Sequence, residues 1–148
     1  MRPDAPLTAV IDAMDKTSAR PDFAVLLYPV LTMQAPFDTT HAKSILLGAS
    51  PAQGARDALS VETLVDGRTP PVFLAQALDD PIAPVDNSLL MLAALRRAQV
   101  PVALHRAQVP VALHVFQHGG HGWGMGRKDS EPAAWPQLLQ AWLGAGSH

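Results

Sequence analysis

The sequence predicts an α/β domain, a mainly parallel sheet of about three strands flanked by helices. Three apolar runs carry this reading. Phe23–Tyr28, Pro71–Ala77 and Val109–Phe116 each have the length and continuity of a strand covered on both faces. The segments between them show helical patterns, so successive strands need crossover connections and lie parallel. Two of the runs lead directly into chemistry-bearing clusters, Asp79-Asp80-Pro81 and His118-Gly119-Gly120-His121-Gly122-Trp123. Parallel sheets hold their ligands beyond the carboxyl ends of the strands, which is where both clusters fall.

Taken in order, residues 3–22 carry Pro, Asp and Thr with little periodicity and read as a loop or excursion with one short helix. Phe23–Tyr28, stopped by Pro29, reads as a central strand. Residues 30–70 hold short helical pieces over 40–47, 51–59 and 61–65, with Ser50 before Pro51 as a helix cap and proline in the first turn. The second strand follows at Pro71–Ala77 and ends at Asp79-Asp80-Pro81. Val85 to Arg97 reads as a helix, because Val85, Leu89, Leu92 and Leu95 form one apolar stripe. Asp86 near its start and Arg96-Arg97 at its end suit the helix dipole. Val109–Phe116 is the third strand. Trp135, Leu138, Leu139 and Trp142 make a last helical stripe, with Pro136 in its first turn and Gly144 just past its end.

The segment Arg97–His105 recurs without change as Arg106–His114. The unit is too short and too few in number for a solenoid. The first copy completes the helix and the second delivers the third strand, so one copy is surplus to the fold and reads as a tandem duplication.

Composition limits the functional classes. The 148 residues suit one domain with a single core, and 48% hydrophobic against 16% charged residues suits a globular chain. A net charge of −2 without a Lys/Arg block gives no basis for nucleic acid or an anionic membrane as partner. The absence of cysteine excludes disulfides, thiolate zinc sites and a cysteine nucleophile. No run approaches the ~18 apolar residues that span a bilayer. Nothing after Met1 resembles a signal peptide. The chain as it stands reads as cytoplasmic, and as secreted or periplasmic if a signal preceded it.

Asp80 and His121 lie past two successive strand ends, so their loops come side by side. A carboxylate there accepts the imidazole Nδ1–H, fixes the tautomer and stabilises the imidazolium formed in turnover. The glycines beside His121 permit a tight turn, and Trp123 is placed to wall a substrate pocket. Read alone, Asp79-Asp80-Pro81 is a turn signal. His118 and His121 offer half of a metal site, but no further Cys, His or Glu cluster accompanies them, so no metal and no cofactor is expected. His41, His105, His114 and His148 read as ordinary surface or strand residues, and Trp135 and Trp142 as core anchors.

Phe23–Tyr28 with Pro29, the stretch Ala77–Pro84 with Asn87-Ser88, and Gly119–Trp123 together resemble the C-terminal half of an α/β-hydrolase. The resemblance covers most of residues 20–144 and is nearest to esterases related to acetyl-xylan and feruloyl esterases and to prolyl-oligopeptidase-type peptidases. It implies a Ser-His-Asp triad with His121 as base. Within the family frame, an aliphatic residue and a proline follow the acid, which selects Asp80 with Ala83-Pro84 and leaves Asp79 as runner-up. Where such proteins often carry histidine, this chain has Gln76, a departure outside the triad.

The resemblance also implies a nucleophile in a Gly-x-Ser-x-Gly turn and an oxyanion loop, both upstream of Phe23. No serine here has that context. Ser50, in Gly48-Ala49-Ser50-Pro51-Ala52, is the nearest formal match, but Pro51 removes the N–H that an oxyanion would need. The expectation is therefore a single partial hydrolase domain over 1–148, with 1–22 as excursion and 23–148 as the last strands and helices. It carries two triad members, and its substrate is a small acyl or carbohydrate ester. The strand at Phe23 would be cut from its neighbour, leaving an edge that favours dimerisation or capture of the missing half. A non-catalytic remnant or split subunit, and a peptidase with the same Asp and His, are the competing readings.

Overall fold

The computed structural model describes residues 17–98 and 111–145. Three parallel strands, β1 (Ala24–Leu27), β2 (Val72–Ala77) and β3 (Val111–Phe116), form one sheet in the order β1-β2-β3. The register aligns Ala24 with Val72, and Val72 with Val111. Helices α1 (His41–Leu47) and α2 (Gln53–Leu59) and a 3-10 turn at Val61–Leu64 lie between β1 and β2. α3 (Asp86–Ala98) connects β2 towards β3, and a 3-10 turn at Glu131–Ala134 leads into α4 (Trp135–Ala145).

The alternation of β2 builds the core. Val72 and Leu74 face one side and join Leu31, Met91 and Leu95, with Leu26, Val61, Val65, Val111 and Leu113 around them. Phe73 and Ala75 face the other side with Phe116, under Trp123, Trp135, Leu138, Leu139 and Trp142. Successive residues of a strand point to opposite faces, so a run that is apolar throughout places a helix layer on each side. Trp135 and Trp142 are core anchors, as their helical spacing predicts. Phe73 meets the Trp142 ring at 5.8 Å and the His114 ring at 5.0 Å.

Several boundaries differ from the sequence reading. All six residues of β2 are buried, whereas every residue of β1 is only partly so. β2 is thus the central strand of the described sheet, and β1 lies at its edge. The helix expected from Pro51 begins at Gln53. Its first turn closes on the Ala52 carbonyl, which accepts the N–H groups of Ala55 and Arg56, so Ser50 is not its cap. The piece after Ser60 is a 3-10 turn, closed by the Thr63 N–H on the Ser60 carbonyl. α4 runs through Gly144 to Ala145, because an exposed last turn tolerates the modest helical penalty of glycine. The excursion over 3–16, most of the duplicated segment (99–110), His105 and His148 lie outside the described residues.

Past β1, the chain is fixed by buried side chains rather than by a strand partner. Asn87 Oδ1 accepts the Leu31 and Thr32 N–H groups at 2.8 and 3.0 Å, and Ser60 Oγ accepts the Met33 N–H. Thr32 Oγ1 donates to Glu62 Oε1 at 2.6 Å. These bonds set the path by which β1 delivers Tyr28 to the carboxyl edge of the sheet.

Candidate active site

β2 ends at Ala77, and Asp80 follows in a turn that its own side chain builds. Oδ1 accepts the backbone N–H groups of Ile82 and Ala83 at 2.8 and 2.9 Å. This local bonding is what an aspartate before Pro81 does in a turn. Oδ2 accepts Gln76 Nε2 at 3.0 Å and faces His121 Nδ1 at 2.8 Å. Four donors thus occupy the four in-plane acceptor positions that a carboxylate offers. The Asp80 side chain is wholly buried, while a quarter of the His121 side chain remains exposed.

With the carboxylate as acceptor, the neutral imidazole of His121 places its proton on Nδ1 and its lone pair on Nε2. The imidazole is therefore held in the tautomer that can take a proton from a neighbouring hydroxyl. Asp80, not Asp79, is the carboxylate that meets His121.

Asp79 does something else. Its Oδ1 accepts the N–H groups of Gly119 and Gly120 at 2.9 and 2.8 Å, and its Oδ2 lies 3.5 Å from His118 Nδ1. The Gly120 N–H chiefly holds this carboxyl below its ordinary range; partial desolvation opposes the shift, and Gly119 and His118 reinforce it. Glu131 clamps the same loop from the far side, accepting the Gln117 N–H at 2.6 Å and the His118 N–H at 3.4 Å. Gly120 and Gly122 have φ of +62° and +70°, a region that side chains disfavour, so the turn that presents His121 requires glycine at both. His118 and His121 point to different carboxylates, Asp79 and Asp80, rather than to a shared centre.

Tyr28 sits at the end of β1 with φ of +41°, strained backbone for a bulky residue and worth about 1–3 kcal/mol. Its ring lies 5.0 Å from the His121 ring and 4.8 Å from Trp123, edge-on in both cases. Trp123 also meets Phe116 at 5.8 Å, and its indole N–H is buried without a hydrogen-bond partner among the described residues. Tyr28 is thus the aromatic ring against the imidazole, with Trp123 behind it.

Sequence reasoning treats Tyr28 as part of a strand and misses its place at the site. A tyrosine immediately before Pro29 at a strand end is the available signal. It also sets Gln76 aside, although that side chain is buried and bonded to Asp80. A glutamine in an otherwise apolar central strand is the mark of a polar task. The hydroxyls of Ser44, Ser60, Ser88 and Ser130 donate to His41 O, Arg56 O, Gln76 Oε1 and Arg127 O respectively.

A helix-flanked parallel sheet with this Asp–His pair beyond two neighbouring strand ends marks the chain as an esterase-like α/β-hydrolase. Residues 14–145 match the prolyl oligopeptidase family, and the chain belongs to that family. It is 39% identical over 107 residues to endo-1,4-beta-xylanase B of Butyrivibrio fibrisolvens, a match covering 71% of this chain and 15% of that protein. Among solved structures it resembles an acetyl ester-xyloside bifunctional hydrolase from Caldicellulosiruptor lactoaceticus. The TM-score is 0.79 at 36% identity, covering 90% of this chain and 46% of that one. It also resembles the carboxylesterase Cest-2923 of Lactobacillus plantarum, with TM-score 0.64 and 26% identity over 88% of this chain and 46% of that one. The chain therefore spans less than half the length of these structural relatives.

Proposed function

We propose that this chain supplies the orienting acid, Asp80, and the general base, His121, of a Ser-His-Asp hydrolase that cleaves small carboxylic esters. Acetylated xylan-type sugars are the substrate class. The observation that carries the reading is the 2.8 Å approach of His121 Nδ1 to Asp80 Oδ2, which leaves Nε2 free to accept a proton. The 36% identity to an acetyl ester-xyloside hydrolase supports an ester over an amide substrate.

The 148 residues contain no Gly-x-Ser-x-Gly, so the nucleophile comes from a segment outside them. As that serine attacks the ester carbonyl, Nε2 takes its proton, and the imidazolium is stabilised by Asp80 without proton transfer to the carboxylate. The imidazolium then protonates the leaving alcohol, and the acyl group stays on the serine. In the second half, Nε2 takes a proton from water as its oxygen attacks the acyl-serine carbonyl, then returns that proton to the serine oxygen as the serine–acyl bond breaks and the carboxylic acid leaves. Tyr28 and Trp123 wall the approach to His121 on the aromatic side.

A second element of the proposal concerns β1. Among the described strands it pairs with β2 alone, and Phe23 beside it is 43% exposed. An unpaired edge has unsatisfied N–H and C=O groups, and a strand of the nucleophile-bearing segment would complete it. Sedimentation velocity on the chain at low micromolar concentration should show association; a monodisperse monomer would count against an adhesive edge.

The activity is tested by replacing the corresponding part of the Caldicellulosiruptor hydrolase with residues 17–145 of this chain. The folded chimera should hydrolyse p-nitrophenyl acetate and release acetate from acetylated xylan. Asp80→Asn should lower kcat by on the order of 10⁴-fold, and His121→Ala by at least as much. A chimera that cleaves a prolyl p-nitroanilide and not the ester would make the chain part of a peptidase. The isolated 148-residue chain should show no more turnover than its own His121→Ala variant.

A further inference from the structure

Asp80 is bonded by more than its turn and its histidine. Gln76 is fully buried four residues earlier on β2, on the face that carries Val72 and Leu74 against α3. Its Nε2 donates to Asp80 Oδ2 at 3.0 Å and to the Ala83 carbonyl at 2.8 Å. Its Oε1 accepts the hydroxyl of Ser88 at 2.9 Å, itself fully buried on α3. Of the three partners, Ser88 alone has a proton to give. The amide therefore has one orientation that satisfies all three, since the flipped amide would set its oxygen against two oxygens.

We infer that Gln76, keyed by Ser88, is a positioning residue that aims Asp80 Oδ2 at His121 Nδ1. The inference rests on the Asp–His reading above and deepens it. The two backbone N–H groups hold Oδ1 and so resist rotation of the carboxylate about Cβ–Cγ, but neither touches the oxygen that meets the imidazole. The Gln76 amide is the donor besides the imidazole on Oδ2 itself, and it restrains that oxygen directly. It also occupies one of the two acceptor positions of Oδ2, leaving one for the imidazole. A leucine at 76 would fill the same interior volume as Leu74 does two residues earlier. The polar amide in its place contributes hydrogen bonds directed at the acid and its turn.

The test uses the whole 148-residue chain, ¹⁵N-labelled, with NMR detection of the His121 ring nitrogens and the Nδ1–H proton. The parent chain should show the Nδ1–H tautomer with slowed proton exchange, and Asp80→Asn should lose it. Gln76→Leu should exchange that proton roughly tenfold faster, the loss expected for one buried hydrogen bond. Gln76→His can offer one N–H to Asp80 and accept from Ser88, so it should restore slow exchange. The Gly119 and Gly120 amides, held by Asp79, report on the loop independently and should stay unchanged in both variants.

An unmoved His121 signal in Gln76→Leu would overturn the inference. So would a change in which His121, Gly119 and Gly120 move together, since that is a merely structural role. If Gln76→Leu fails to give a folded spectrum, Ser88→Ala is read by the same criteria. Parent and Asp80→Asn chains with identical His121 signals would instead defeat the Asp–His reading, and this inference with it.

Discussion

Asp79 holds the loop of its neighbour's partner: its Oδ1 lies 2.8 Å from the N–H of Gly120, the residue before His121. The two adjacent aspartates thus divide the work, one on the backbone of the histidine loop and one on the ring nitrogen. Asp79→Ala should speed amide exchange at Gly119 and Gly120, on the order of tenfold, because two N–H groups lose a charged acceptor. The Asp79 carboxyl is shifted below its ordinary value of 3.8 in the folded chain, chiefly by the Gly120 N–H. The unfolded state therefore binds its proton first as pH falls. The contribution of this clamp is fully present above about 3.8 and is lost as pH drops through the lower folded value. Exchange measured across that acid range should show a transition in the parent chain that Asp79→Asn lacks.

Gly119 is needed for space. A Cβ on it would sit 2.7 Å from Pro132 Cγ and 3.1 Å from Ala77 Cβ, so the loop and the turn before α4 would have to separate. Gly119→Ala should cost about 1–3 kcal/mol, seen as a lower melting temperature. Gly126→Ala should cost more, because its Cβ would meet the Ala133 backbone at 2.5 Å and its φ is +82°. Gly54, in α2, would carry a methyl group that meets nothing within 4 Å beyond its chain neighbours and its own helix backbone, so Gly54→Ala should stabilise by up to ~1 kcal/mol. A common sign for all three would refute this account.

The apolar runs made the sheet legible, because a strand buried between two helix layers needs no polar face and β2 has one polar residue only, Gln76. The preference for Asp80 over Asp79 comes from the family resemblance, through Ala83-Pro84; in the structure Asp80 is the carboxylate 2.8 Å from His121 Nδ1, with Ile82 and Ala83 closing the turn on its other oxygen. What was not legible depends on contacts between distant segments. The clamp of Glu131 on Gln117 joins residues of unremarkable type across a loop. The positive φ of Tyr28 is imposed by the turn out of the sheet, not by any preference of tyrosine.

His114 gives the fold a second pH dependence, on the neutral side. It lies on β3 with its ring 5.0 Å from that of Phe73, and burial lowers its affinity for a proton below the ordinary value of 6.5. The unfolded chain then binds this proton more readily, so stability rises with pH through this region. The contribution is fully present above about 6.5 and falls as pH drops from there towards the depressed folded value. Melting temperatures from about pH 8 down to about pH 5 should decline more steeply in the parent than in His114→Leu. Parallel curves would show that burial does not bias this imidazole.

Asn87 is the strongest single tie between the end of β1 and α3. It is fully buried, and its Oδ1 accepts both the Leu31 and the Thr32 N–H while its Nδ2 donates to the Pro84 carbonyl. Asn87→Ala would leave two backbone N–H groups in an interior that water does not reach. Each orphaned donor costs about 1–3 kcal/mol, and a chain of this size loses roughly 3 °C of melting temperature per kcal/mol. The damage should also reach the site, because the freed segment begins three residues after Tyr28, whose ring rests on His121. Asn87→Ala should therefore melt several degrees lower and broaden the Tyr28 and His121 ring resonances. The Gly119 and Gly120 amides, held by Asp79 on the neighbouring strand's loop, should keep their protection. Loss of protection at those glycines with no change at Tyr28 would reverse the assignment of which carboxyl-edge loop Asn87 supports.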